Sequence, residues 1–365
     1  MNFRLGELFC GAGGLAWAAK TTKISSNAIN YTISHTWAND YNKDACETYR
    51  NNIDKKHVVC CDIAKLDMPK LPSIDALAFG FPCNDFSDVG EKKGFNGSYG
   101  QLYQYCTKAL RLFQPKWFLA ENVGGLRNAN DGRAFKVILQ EMAETGYNIV
   151  PNLYKFENYD IPQSRHRIIM VGIRTDINLT FRVPAPFTSN PITCKEAIEN
   201  PQIPATAKNQ ERTNQAKHVI ERLQYIKEGE NAFTANIPEH LRLRVTGAKI
   251  SQIYKRLDST KPAYTVTGSG GGGTHMYHWR ENRALTNREK ARLQTFPDDF
   301  DFSGSKESVR RQVGMAVPPK GAKIVFEAIL KTFAGIEYPY VQPNIAPITN
   351  GYCPPRLFEP SYATL

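Results

Sequence analysis

The stretch Leu5-Gly6-Glu7-Leu8-Phe9-Cys10-Gly11-Ala12-Gly13-Gly14-Leu15, running on into Ala16-Trp17-Ala18-Ala19, decides the fold of this 365-residue chain. Leu5 to Phe9 reads as a strand, Cys10 to Gly14 as a glycine turn, and the small-residue run as the start of a helix. A strand that turns on glycine into a helix opens a doubly wound sheet; there the backbone can approach a ligand, and the helix start offers free N–H donors. The pattern G-x-G-G falls short of the dinucleotide fingerprint G-x-G-x-x-G, which argues against a nicotinamide oxidoreductase. A tight turn without a ligand remains open.

Outward from there, His35 to Ala38 reads as a second strand ending in Asn39-Asp40-Tyr41, and His57 to Cys60 as a third ending in Cys61-Asp62-Ile63. A carboxylate past a strand end commonly binds ribose hydroxyls, and an adjacent aromatic can lie on a purine. Asp40 and Asp62 serve equally as helix N-caps. Ala76 to Phe81 reads as a fourth strand, buried on both faces and ended by Pro82, so Cys83 falls just past its carboxyl end, where open α/β sheets bind ligands. Asp85 or Ser87 can cap a following helical turn whose N–H groups favour a thiolate. The alternative for Cys83 is a small buried thiol.

The segment Val89 to Gly100 carries Gly90, Gly94, Gly97 and Gly100 with Lys92 and Lys93, which predicts a basic lid beside the thiol or an ordinary surface loop. Leu102, Tyr105, Cys106, Ala109, Leu112 and Phe113 follow helical spacing. Lys116 to Ala120 predicts a strand with Glu121-Asn122-Val123 directly after it, and Asp131 is expected to cap a helix that stops at Gly146. Arg165 and Arg167, entering the strand Ile168 to Ile173, share a side and can hold a carboxylate, a phosphate or a carbonyl edge, or form an exposed edge pair.

Prolines 184, 186, 191, 201 and 204 mark a change of texture after Asn178. Residues 205–256 hold ten Lys/Arg against five Asp/Glu, suiting one wall of a nucleic-acid cleft or a set of solvated helices. The run Gly268 to Gly273 reads as a loop or hinge, Thr286-Asn287-Arg288-Glu289 as a capping box, Ala316 to Phe333 as a final core helix, and 337–365 as a wrapping or loose tail. The architecture expected is α/β, a doubly wound and mostly parallel sheet with a second, smaller domain. The larger domain takes 1–177 plus 306–335, the smaller 178–305, and the tail 336–365.

A formal charge of +11 makes a polyanionic partner plausible, with a solvated basic surface as the alternative. No apolar run approaches the roughly 18 residues that a bilayer crossing needs, so no membrane partner is expected. The N-terminus shows no secretion signal. The eight cysteines form no C-x-x-C pair, which suits a reducing compartment, and His275 and His278 lack companion ligands, so no metal is expected.

Taken in order, these residues resemble the C5-cytosine DNA methyltransferase family. The resemblance rests on Phe9-Cys10-Gly11-Ala12-Gly13-Gly14, Pro82-Cys83-Asn84-Asp85-Phe86-Ser87, Glu121-Asn122-Val123 and Gln163-x-Arg165-x-Arg167. It continues through Arg283-Ala284-Leu285-Thr286-x-Arg288-Glu289, then Arg292 to Asp298, and Gln312-Val313-Gly314 before Pro318. It implies the S-adenosylmethionine-dependent methyltransferase fold, with target recognition in the variable region between Arg167 and Arg283. It also implies that Cys83 adds to C6 of a flipped-out cytosine, that Glu121 contacts N3 and the exocyclic amine, and that Arg167, with Arg165 near it, holds O2 and the surrounding structure. Phe9, Gly11, Gly13, Asp40, Tyr41, Asp62, Ile63 and Leu102 match cofactor positions. The partners implied are double-stranded DNA, bound by a monomer, and a cognate restriction endonuclease, in the cytoplasm of a bacterium. Asn84 and Asp40 depart from the commoner Gln and Glu, and Met315 from the usual Asn. Transfer-RNA methylation by the same chemistry and a non-catalytic DNA-binding relative are the alternatives.

Overall fold

The computed structural model describes residues 1–82, 102–244 and 251–349, apart from the side chains of 129–131. Cys83, Asn84, Asp85, Ser87 and the predicted lid at 90–100 lie outside the described residues, as does the tail from 350.

The glycine turn does join a strand to a helix: β1 (Asn2–Leu8) stops one residue early, and α1 (Gly14–Thr21) follows. Phe9, Gly11 and Gly13 all take positive φ, 55°, 53° and 90°, so the chain turns too sharply for Phe9 to stay in the strand. The second strand is longer than its apolar run predicts. A hairpin of β2 (Lys23–Ser26) and β3 (Ile29–Asp40) turns at Asn27 and Ala28, both with positive φ as a two-residue hairpin loop demands. Then come α2 (Lys43–Asn52), β4 (Val58–Cys60), β5 (Ala76–Phe79), α3 (Tyr103–Phe113), β6 (Trp117–Val123), α4 (Arg133–Ala143), β7 (Tyr147–Lys155), β8 (Gln163–Ser164) and β9 (His166–Arg174). The cap of α4 is Gly132 at φ 79°, a correction to the expected Asp131.

The sheet runs in the order β2-β3-β1-β5-β6-β9-β7, with β4 on β3. Strands β4, β3, β1, β5 and β6 run parallel to one another, β2 lies antiparallel on β3, and β9 enters antiparallel between β6 and β7. This is the expected doubly wound, mostly parallel α/β sheet. Alternation sorts its side chains: Ala76, Ala78, Trp117 and Leu119 face α1 and α9 (Pro319–Ala334), while Leu77, Phe79, Phe118 and Ala120 face α3 and α4.

The second part of the chain carries β10 (Val183–Pro184), α5 (Cys194–Glu199), α6 (Lys217–Leu223), β11 (Ala263–Tyr264), α7 (Asn287–Leu293), α8 (Lys306–Met315) and β12 (Tyr340–Val341). Phe181 and Val183 pack with Phe3 and Leu5, and β10 pairs with β12, so the segment just after 177 still belongs with the sheet. Further on, residues from Cys194 to Val313 build further apolar clusters, one of which also takes in Ala12 of the glycine turn and packs against Trp17 and Ile53. The capping box forms as read: Thr286 accepts from Glu289 N, and Glu289 accepts from Thr286 N.

Beneath the turn lies a buried polar chain. Glu7 is 1% exposed; Tyr49 Oη lies 3.0 Å from Glu7 Oε2 and 3.2 Å from His35 Nδ1, and His35 Nε2 lies 3.1 Å from Ala16 O. One hydroxyl proton satisfies only one of the two Tyr49 contacts. A protonated Glu7 supplies the second, and burial does push its carboxyl up to about 8. Burial likewise pulls His35 down to about 4, so the chain is neutral.

Two predictions follow from packing and burial. A Cβ on Gly172 would stand 2.0 Å from the ring of Phe118, its partner across β6 and β9. Gly172→Ala is therefore expected to cost roughly 1–3 kcal/mol of stability, read as a fall in urea midpoint. For Glu7 the native state holds a proton that the unfolded chain releases above the ordinary glutamate value of about 4.5, so stability falls as pH rises towards about 8. Glu7→Gln removes that slope and raises stability at pH 8 by an amount on the order of a few kcal/mol, read as a higher melting temperature. Parallel melting curves of the two proteins from pH 5 to 8 would refute this.

Candidate active site

The carboxyl ends of β1, β3, β5 and β6 meet where the strand order reverses, and a cleft opens there. Five of the residues expected from sequence line it: Phe9, Gly11, Asp40, Tyr41 and Glu121. Asp40 ends β3, and its carboxylate accepts from Gly11 N at 2.8 Å and from Asn42 N at 2.9 Å. Burial still raises its pKa, outweighing those two bonds. Tyr41 is 70% exposed, so its ring is open to a ligand.

Other predicted positions fall elsewhere. Gly13 is the residue before α1, at the foot of the turn. Asp62 accepts from Ala64 N at 2.9 Å and caps a single 3₁₀ turn, the capping alternative for that residue. Ile63 is buried in the apolar cluster beside α3, against which Phe9 and Leu102 also pack; Ile63 and Leu102 do not line the cleft.

Glu121 stands inside β6, not after it, because β9 pairs with that strand as far as Val123 and Arg167. In this register Arg167 lies diagonally across from Glu121, and its Nε reaches Glu121 Oε1 at 3.0 Å. Glu121 is 9% exposed. Burial raises its pKa, and the charges of Arg167 and Arg165 oppose that shift without cancelling it. A carboxyl so placed holds a proton more readily than one in water and can hand it to a base. Gly80 leaves room for it, since a Cβ there would stand 3.3 Å from Glu121 Oε2.

The two arginines do different work. Arg165 is 1% exposed and donates to Val266 O, Gly314 O and Ala316 O at 2.9–3.0 Å. It fastens the chain after β11 and the end of α8 to the sheet, whereas Arg167 faces Glu121. Gln163 and Gln294 extend that fastening: Gln163 Nε2 donates to Gln294 Oε1 at 2.8 Å, and Gln294 Nε2 donates to Ala316 O at 3.1 Å.

Apart from Gln312 and Met315, flagged through the resemblance, one wall and one clamp were not read from the sequence. Ser308, Arg311, Gln312 and Met315 of α8 line the cleft opposite β1. Only Val309, Val313 and Gly314 of the apolar and small residues on α8 are buried, too few for a periodic signal; Ser305, which accepts from Ser308 N, was the one cue. The clamp is Asn122, whose Nδ2 donates to Phe81 O at 3.0 Å and so fixes the chain two residues before Cys83. No group of three His, Cys, Asp or Glu able to hold a metal occurs among the described residues. No helix among them is long and apolar enough to cross a membrane.

Comparison with known proteins gives this geometry a family. The model of the C-5 cytosine-specific DNA methylase family matches residues 3–331. The chain is 55% identical over 354 residues to the type II methyltransferase M.BbvI of Brevibacillus brevis, covering 93% of this chain and 94% of that protein. It is 39% identical to the type II methyltransferase M.NgoFVII of Neisseria gonorrhoeae, covering 90% and 86%. Among solved structures, a putative DNA modification methyltransferase encoded within an E. coli prophage shares the fold, with a TM-score of 0.69 at 22% identity over 90% of this chain and 99% of that one. A glycine-turn cleft closed at one end by Glu121 and Arg167, in a chain matched from residue 3 to 331, places the protein in the C-5 cytosine-specific DNA methylase family, as a DNA (cytosine-5-)-methyltransferase.

Proposed function

We propose that the chain transfers a methyl group from S-adenosylmethionine to C5 of a flipped-out cytosine in a specific double-stranded DNA sequence, through a covalent adduct between Cys83 and C6. The observation that carries this reading is the buried Glu121 carboxyl, biased towards its protonated form and held by Arg167 at the inner end of the cleft. In the cell it acts in the cytoplasm, as a monomer on DNA and as the modification half of a restriction–modification system with a cognate endonuclease. The type II names of the two relatives support that setting.

The cleft fits the methyl donor. The Asp40 carboxylate beside the open ring of Tyr41 suits a nucleoside, and the aromatic rings of Phe9 and Tyr41 in the lining suit a sulfonium cation. Phe9, Gly11, Asp40 and Tyr41 would hold the nucleoside, with Gly13 shaping the turn and Asp62, Ile63 and Leu102 supporting it from behind. Bound there, S-adenosylmethionine supplies an electrophilic methyl group.

The protein's own groups make cytosine able to accept it. C5 is a poor nucleophile until the Cys83 thiolate adds to C6 and pushes the ring electrons towards N3. Glu121 donates a proton at N3 as that charge builds, leaving an enamine whose C5 can be alkylated. Loss of the C5 proton to water then restores the C5–C6 double bond and expels Cys83 as thiolate, and N3 returns its proton to Glu121. Arg167 holds Glu121 and the O2 side of the base, while Arg165 fixes the surrounding backbone as a positioning residue. Flipping the base costs a few kcal/mol, offset by contacts from the 90–100 loop and from the recognition region we place within 178–305. Its excess of Lys/Arg supplies phosphate contacts, so affinity falls with salt.

Labelled-methyl transfer to duplex DNA is expected for the wild type and absent for Cys83→Ser. Glu121→Gln, which keeps the shape and loses the transferable proton, is expected to slow it by roughly 10²–10⁴-fold. Equal transfer by wild type and Cys83→Ser would refute the proposal.

A further inference from the structure

Beneath Asp40 and Tyr41 lie two thiols that the chemistry above does not use. Cys46 sits in the first turn of α2, and Cys60 ends β4, in register with Asp40 of β3. Their side chains meet: Cys60 packs on the apolar cluster that holds Cys46, and the two thiols interact directly. Both also point at the backbone that would hold the nucleoside. Cys46 Sγ donates to Asp40 O at 3.4 Å, and Cys60 Sγ to Tyr41 O at 3.9 Å.

Access differs between the two. Cys46 is fully buried, whereas Cys60 is partly exposed. Burial, and then the Cys60 sulfur, hold the Cys46 thiol above its ordinary range, against the charge of Arg50. An oxidant dissolved in water therefore meets Cys60 first, and Cys46 stands beside it as a protonated partner.

We infer that Cys46 and Cys60 form a modification site: a peroxide oxidises them to a disulfide, and that bond weakens binding of the methyl donor. The second half rests on the proposed reaction. Peroxide transfers one oxygen to Cys60, giving a sulfenic acid and water. The Cys46 sulfur then displaces the hydroxyl, which leaves with the Cys46 proton as a second water. The two sulfurs give up two electrons, and these reduce the O–O bond. Contact between the sulfurs offsets the slow ionisation of Cys46.

Closing the S–S bond removes both S–H donors and draws the start of α2 and the end of β4 together. Asn42 joins the helix to the cleft. Its N donates to Asp40 Oδ1 at 2.9 Å, its side chain accepts from Ala45 N at 3.0 Å, and its O accepts from Cys46 N at 2.9 Å. A shift of Cys46 therefore passes through Asn42 to the Asp40 carboxylate, which also holds Gly11 N.

The test treats the full chain with hydrogen peroxide and follows two readouts: mass spectrometry of peptides cleaved without reductant, and calorimetric titration with S-adenosylmethionine. Wild type is expected to yield peptides linked through Cys46 and Cys60, to bind the donor roughly tenfold more weakly, and to recover with dithiothreitol. Cys60→Ser is expected to keep its affinity under peroxide; should it fail to fold, Cys46→Ala takes its place. Cys83→Ser is expected to lose affinity as wild type does, which separates this site from oxidation of the catalytic thiol. A link between Cys60 and its partly exposed neighbour Cys61 in place of Cys46 would overturn the inference. So would a linked protein of unchanged affinity, or an equal loss in Cys60→Ser. Failure of the untreated protein to bind S-adenosylmethionine would overturn the proposed reaction and the donor half of this inference together, while the linked peptides still decide the disulfide.

Discussion

The contact on which the site depends is the 3.0 Å approach of Arg167 Nε to Glu121 Oε1 across two antiparallel strands. Both groups are largely out of water, with side chains 13% and 12% exposed. Desolvation favours the neutral carboxyl and the nearby guanidinium favours the ionised one; desolvation wins. The outcome is a carboxyl that holds a proton more readily than one in water and is coupled to a cation able to stabilise the charge left when the proton moves. Removing Arg167 would leave a buried carboxyl with no positive partner in direct contact, and removing Glu121 would take the carboxylate partner from a largely buried guanidinium.

Topology is what makes the contact possible. Parallel strands place β1, β3, β5 and β6 with their carboxyl ends together, but none of those ends brings a cation to Glu121. The antiparallel entry of β9 beside β6 carries Arg167 in from the opposite direction, and the pairing extends to Val123 so that the two side chains meet. Arg165, immediately before β9, then ties the strand to Val266, Gly314 and Ala316. The cleft wall on α8 and the chain after β11 are thus anchored within two residues of Arg167. Disturbance of the Gln163, Arg165 and Gln294 network reaches the chemistry through geometry, without touching the substrate.

Much of this was legible in the sequence, for identifiable reasons. Buried strands such as Ala76–Phe79 and Trp117–Val123 announce themselves because both faces are apolar. Asp40, Tyr41 and Glu121 were legible as strand-end residues. What stayed hidden depends on partners distant in sequence. The β2 hairpin is polar and half-exposed, so alternation is weak, and the extension of β6 past Ala120 exists only because β9 pairs with it. The α8 wall has too few apolar residues to show a period. Asp131 looked like a cap, but Gly132 has the positive φ the entry to α4 requires. The division of labour between Arg165 and Arg167 comes from carbonyls more than 100 residues away, which spacing cannot reveal.

The central claim is a transient bond between the Cys83 sulfur and C6 of cytosine. It is tested most directly with duplexes carrying 5-fluorocytosine, in which the C5 substituent cannot leave as a proton and the adduct cannot resolve. With S-adenosylmethionine present, the wild type is predicted to form a complex with such DNA that survives denaturing electrophoresis, and Cys83→Ser none. Methylation of ordinary cytosine duplexes by a wild-type protein that never traps on the fluorinated ones would contradict the account.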